Sequence, residues 1–145
     1  MKIIRCTLLL GMLLSAPSTW AQSATPIEVF KSHYCGCCEK WIEHLQQNGF
    51  KVKAQNVNDV SAVRRAAGLP DRFSSCHTAK IGNYLVEGHV PATDIRRLLA
   101  EGPKALGLAV PSMPPGSPGM ETIKPIPYET LLVQADGSYR TFAKH

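Results

Sequence analysis

Hydrophobic and polar positions alternate along the chain in a way that predicts most of its elements. Ile27-Glu28-Val29-Phe30-Lys31 is a short apolar run of strand type. After Cys38 the apolar positions are Trp41, Ile42 and Leu45, the i, i+3, i+4, i+7 stripe of a core-facing helix that runs to about Asn48. Gly49 suits the left-handed residue that ends such a helix. Phe50-Lys51-Val52-Lys53-Ala54 alternates and predicts a second strand. Asn58 or Asp59 can cap a second helix with Val60, Val63 and Ala67 on its buried face, stopped by Gly68-Leu69-Pro70. Cys76 to Ile81 and Tyr84 to Glu87 read as a hairpin about Gly82-Asn83. Pro91 belongs in the first turn of a helix carrying Ile95, Leu98 and Leu99, which Gly102-Pro103 ends.

This β-α-β-α-β-β-α order predicts an α/β protein with a thioredoxin-like mixed sheet and helices on both faces. The first two strands, joined through a helix, should be parallel with a right-handed crossover. Gly107 to Pro127 is Pro- and Gly-rich and predicts a long irregular loop, of the kind that carries function. Tyr128 to Val133 and Tyr139 to Ala143, around Asp136-Gly137, predict a closing β-hairpin. No internal repeat and no second domain is visible.

The 145 residues suit a single domain with its own core. The first 21 read as a cleaved export signal. Lys2 and Arg5 precede the apolar Leu8 to Leu14, and Thr19-Trp20-Ala21 offers a cut after Ala21. The domain then spans residues 22–145 and is soluble in the periplasm, with no membrane association once the signal is gone. Gln22 to Pro26 is expected to be a flexible leader. Without the signal the formal charge falls from +5 to +3, from 14 basic and 11 acidic residues, with no basic run. Nucleic-acid binding has no support there.

Export matters because four cysteines remain: Cys35, Cys37, Cys38 and Cys76. In an oxidising compartment they could form two inert disulfides, leaving a structural or interaction module. Three of them, however, sit at the start of the first helix, where unpaired N–H groups and the helix dipole favour thiolates. Cys35 and Cys38 have the spacing and strand-to-helix placement of a dithiol redox pair, and would be the catalytic residues if the protein is redox-active. Cys37 is surplus to that motif. Adjacent helix residues point about 100° apart, so three thiolates in four residues suit a cluster in which sulfurs bridge several metal ions. In glutaredoxin-like chains a Thr-Val-Pro segment faces the dithiol. Aligning the hairpin with it puts His77 at the proline position and Cys76 beside the other three thiols.

Thiolates select Cu(I), zinc or iron–sulfur clusters, and thioethers select Cu(I) among these. A zinc site of two C-x-x-C knuckles would need a partner for Cys76. Beyond residue 21 the only methionines, Met113 and Met120, lie in the Pro/Gly-rich loop, where packing gives them little to do. Both are therefore candidate ligands, as are His77, His89 and His33. His44 is expected at the surface supporting a neighbour, His145 at a frayed terminus, and Trp41 in the core as an anchor.

Tyr34-Cys35-Gly36-Cys37-Cys38-Glu39-Lys40-Trp41, Ser75-Cys76-His77-Thr78-Ala79, Tyr84 to Pro91 and the Met113 to Met120 loop resemble the CopG-like family of exported copper-resistance proteins. The likeness runs in order over nearly the whole chain beyond the signal. It implies a periplasmic thioredoxin-like protein in which Cys35, Cys37, Cys38 and Cys76 bridge a multinuclear copper cluster. It also implies interconversion of Cu(I) and Cu(II) in copper resistance. Copper ions, and another periplasmic copper or redox protein, are the expected partners. The competing expectation is a periplasmic thiol–disulfide oxidoreductase using Cys35 and Cys38.

Overall fold

The structure, a computed structural model, describes residues 26–145. The expected export signal over residues 1–21 lies outside the described residues. The expected element order is present: β1 (Ile27–Lys31), α1 (Gly36–Gln47), β2 (Val52–Asn56), α2 (Val60–Ala66), β3 (His77–Ile81), β4 (Tyr84–Glu87) and α3 (Ala92–Glu101). Then follow β5 (Gly107–Ala109), β6 (Glu129–Val133) and β7 (Tyr139–Lys144). They build one mixed seven-stranded sheet in the order β2-β1-β3-β4-β5-β6-β7. β1 pairs with β2 in parallel and β3 antiparallel, and β4 pairs with β5 in parallel.

Strand alternation sorts the core into two layers. Ile27, Val29, Ala79, Ile81, Val86, Leu108 and Leu132 meet Trp41, Ile42 and Leu45 of α1 and Ile95 and Leu98 of α3. On the opposite face Leu85, Ala109 and Val133 meet Leu69 and Phe73, from the turn after α2. Burying each large side chain of the first layer contributes about 1.5–3 kcal/mol, and Trp41 also donates from Nε1 to Val90 O at 2.9 Å.

The departures from expectation have physical reasons. β2 starts two residues late, because Gly49 (φ +81) and Phe50 stop α1: their N–H groups bond Gln46 O and Leu45 O at 2.9 and 3.0 Å. This paired C-terminal stop consumes residues that alternation alone assigns to a strand. Asp59 does cap α2, accepting from Ala62 N at 3.0 Å, but that helix buries Arg64 rather than its apolar stripe. Leu99 is 41% exposed, while Ile95 and Leu98 are buried. Pro91 sits one position ahead of α3, at its N-cap. The first three residues of the expected loop form the internal strand β5. A Cβ on Gly107 would collide with Leu85 O, so glycine permits the close pairing with β4. His145 is not frayed: its Nε2 lies 3.0 Å from Asp94 Oδ2, and its ring stacks on Tyr128.

Candidate metal centre

The site forms where the carboxyl end of β1, the start of α1 and the entrance to β3 meet. Cys35 is the N-cap of α1, and Cys37 and Cys38 occupy its first turn. Lys31, buried at the end of β1, pairs with Glu39 Oε1 at 2.6 Å and donates to Asn56 Oδ1 at 2.9 Å. It thereby ties the helix start to the sheet. β1 pairs with β3 so that Lys31 faces His77, which sets Cys76 opposite the thiol turn.

The sulfur atoms of Cys35, Cys37, Cys38 and Cys76 all lie within 4.8 Å of one another. Cys35 and Cys38 are joined as a disulfide, and Cys37 and Cys76 are free. Cys37 Sγ is 3.6 Å from Cys35 Sγ, 3.9 Å from Cys76 Sγ and 3.9 Å from the Met113 thioether. Cys38 is fully buried, whereas Cys35 and Cys37 are half-exposed.

A second donor group overlaps the first at Cys76, whose Sγ lies 3.0 Å from His89 Nε2 and 3.3 Å from His77 Nδ1. His89 Nδ1 is 2.7 Å from Pro118 O. A carbonyl only accepts, so Nδ1 carries the proton and the Nε2 lone pair points at Cys76. The Cys76 thiol then donates to it. His77 is fully buried, its ring 4.2 Å from that of Trp41, and its Nε2 has no hydrogen-bond partner. Burial, then the neighbouring His89, pushes the His77 pKa down to about 3, so the ring is neutral. Burial also lowers the pKa of His89.

Among the described residues no cation therefore stabilises a thiolate at Cys76. Burial first, and Cys37 second, push its pKa up to about 12. The helix-start argument for thiolates does not extend to Cys76, which sits on the strand side, nor to Cys35 and Cys38 while they are bridged. No cis peptide bond occurs among the described residues, and His77 packs against Trp41, its ring tilted by 36°, at the position aligned with the glutaredoxin proline.

The candidate residues divide accordingly. His77, His89 and Met113 reach the sulfurs. His33 is exposed, with its ring near Tyr34, and belongs to neither donor group. Met120 lines a cleft of about 560 Å³ beside Cys37, Lys40 and Glu121. His44 Nε2 accepts from Ala92 N at 3.1 Å and so supports the start of α3. Pro118 and Gly119, members of the Met113 to Met120 loop with no site role expected of either, bring that loop against the site. Gly119 has φ +85, and a Cβ there would come within 2.9 Å of Cys37 O and Trp41 N. A lone Gly in a Pro/Gly-rich loop carries no signal of that approach.

The donor chemistry fits copper: with the Cys35–Cys38 bridge reduced, four cysteine sulfurs and a thioether form a soft set beside a neutral imidazole lone pair, which also suits copper. Among the described residues no helix is long and apolar enough to cross a membrane. A family model described as a protein of unknown function, DUF411, matches residues 73–120, the span holding Cys76, His77, His89, Met113 and Met120. A solved structure of copper resistance protein CopG, form 1, is 42% identical with a TM-score of 0.79, covering 84% of this chain and 98% of its own. Form 2 is 43% identical with a TM-score of 0.79, covering 83% and 97%. No curated protein matches the chain.

Proposed function

The chain belongs to the family of CopG copper-resistance proteins, and on that footing we propose that it binds Cu(I) through Cys35, Cys37, Cys38 and Cys76 and exchanges electrons with copper. The observation that carries this reading is the convergence of four sulfurs within 4.8 Å, with the Met113 thioether 3.9 Å from Cys37. His89 and His77 add nitrogen donors on the Cys76 side, and bridging sulfurs would let the site take several copper ions.

The chemistry of the residues follows from the Cys35–Cys38 bridge. Reducing it takes two electrons, which a periplasmic redox protein must supply, and yields two thiolates, which join Cys37 and Cys76 as soft donors. Re-forming the S–S bond from those thiolates releases two electrons, enough to take two Cu(II) ions to Cu(I). Cys76 enters metal binding as a thiol, so its proton must leave as the cation arrives. The Pro118 carbonyl holds the His89 tautomer whose Nε2 is free to bind. The protein acts after export, with the signal cut after Ala21, and meets a further periplasmic copper or redox protein as donor or acceptor.

Anaerobic titration of the reduced protein with Cu(I) tests the reading. It predicts more than one copper per chain, lost when Cys37 and Cys76 are replaced together. Zero stoichiometry overturns it.

The Cys35–Cys38 disulfide itself favours a second reading, a thiol–disulfide oxidoreductase with half-exposed Cys35 attacking and buried Cys38 resolving. Its measurement is reduction of a protein disulfide, abolished in Cys35→Ser. Catalysis that persists in that variant rules it out.

A further inference from the structure

Ser75, immediately before Cys76, has every polar group engaged. Its N–H donates to Glu87 Oε1 at 2.7 Å, and its carbonyl accepts from Arg64 Nη2 at 3.0 Å. Arg64 and Glu87 are themselves paired at 2.8 Å and buried, and Glu87 Oε2 accepts from Thr78 Oγ1 at 2.6 Å. The backbone of Ser75 is thus clamped from the sheet face opposite the sulfurs. Gly88 leaves the room this needs, since a Cβ there would come within 2.6 Å of the Ser75 side chain.

The Ser75 hydroxyl reaches the other way and donates to Ser112 O, while Ser112 N donates to Ser74 O at 2.9 Å. Ser112 has φ +64, the left-handed conformation that serine rarely adopts. The two contacts hold it there. The next residue is Met113, 45% exposed and therefore lightly packed, with its Sδ 3.9 Å from Cys37 Sγ. A flexible thioether at the protein surface stays over one sulfur only if its backbone is fixed.

We propose that Ser75 is a positioning residue: its hydroxyl latches the Ser112–Met113 loop to the entrance of β3 and so delivers the Met113 thioether to the copper-binding sulfurs. The inference rests on the reading of Met113 as a copper donor and adds what holds it in place. Ser75 touches no metal in this scheme.

The test is a Cu(I) affinity series against a chromophoric Cu(I) chelator, using Ser75→Ala, Met113→Leu, the double variant and Ser75→Thr. Supporting residues of metal ligands typically change affinity about 10- to 100-fold, so Ser75→Ala should weaken binding by roughly tenfold. The double variant should be no weaker than Met113→Leu alone, and Ser75→Thr should restore binding. Losses that multiply in the double variant, or a Ser75→Ala protein that binds as the parent does, overturn the proposal. An unchanged affinity in Met113→Leu overturns the donor reading, and delivery of a donor with it. Hydrogen exchange of the metal-free proteins judges the latch separately. Ser75→Ala should speed exchange at the Ser112 amide while the Ser75 amide, held by Glu87, stays protected; an unchanged Ser112 rate means there is no latch.

Discussion

The thiol of Cys76 should react far more slowly than its half-exposed position suggests. Burial and the neighbouring Cys37 raise its pKa from an ordinary 9.0 to about 12. Near neutral pH its thiolate population is therefore at most about a thousandfold below that of an ordinary cysteine, since the part due to Cys37 acts only while Cys37 is itself a thiolate. Reactivity does not fall by the whole factor, because a more basic thiolate is a better nucleophile. With a Brønsted coefficient of about 0.4–0.5, the gain is about 20-fold. The net expectation is a rate lower by up to ~50-fold than that of an unfolded cysteine, before any steric shielding. The assay is reaction of metal-free protein with an aromatic disulfide at pH 7.5. Peptide mapping isolates Cys76, and the same peptide in urea-denatured protein serves as reference. A native rate equal to the denatured one would refute the argument that burial and the neighbouring Cys37 keep Cys76 protonated.

Acid should destabilise the metal-free protein through His77. The unfolded imidazole titrates near 6.5 and the folded one near 3, so below pH 6.5 the unfolded chain binds more protons. The stability is complete above pH 6.5 and is lost as pH falls toward 3, by about 2 kcal/mol at pH 5. Urea unfolding at pH 7.5 and pH 5 measures it, and His77→Gln should flatten the difference; equal parent stability at the two pH values contradicts it. Arg64→Met leaves Glu87 buried without its cation and should cost about 3–5 kcal/mol in chemical denaturation; a loss below about 1 kcal/mol would mean the pair is only a surface-grade interaction. Gly119→Ala places a methyl against backbone atoms of α1. It should cost about 1–3 kcal/mol and lower copper capacity, and a parent-like melting temperature with full capacity opposes that reading.

Local patterns made most of the fold legible. The stripe from Cys38 to Leu45 fixed α1, and the Gly82-Asn83 turn fixed the β3–β4 hairpin, because each depends on neighbours within a few residues. Tertiary demands decided the rest. α2 buries Arg64 because Glu87 of β4, far along the chain, faces it from the sheet, and no periodicity carries that information. β5 escapes notice because its decisive property is the missing side chain at Gly107. At the site, the three thiols of the first turn are evident from spacing alone. Cys76 is legible only by alignment with a glutaredoxin-like hairpin, and the structure brings its sulfur to that group. Nothing local separates His89 from His33, because the orientation of His89 depends on the Pro118 carbonyl, contributed by a loop without regular structure.

Uptake of copper by one pocket of converging sulfurs is open to test in crystals of reduced protein loaded anaerobically with Cu(I), with anomalous scattering recorded at the copper edge. More than one copper peak per chain is expected, bonded to sulfurs from both the α1 turn and Cys76. A copper peak anywhere else, with Cys76 unligated, contradicts it.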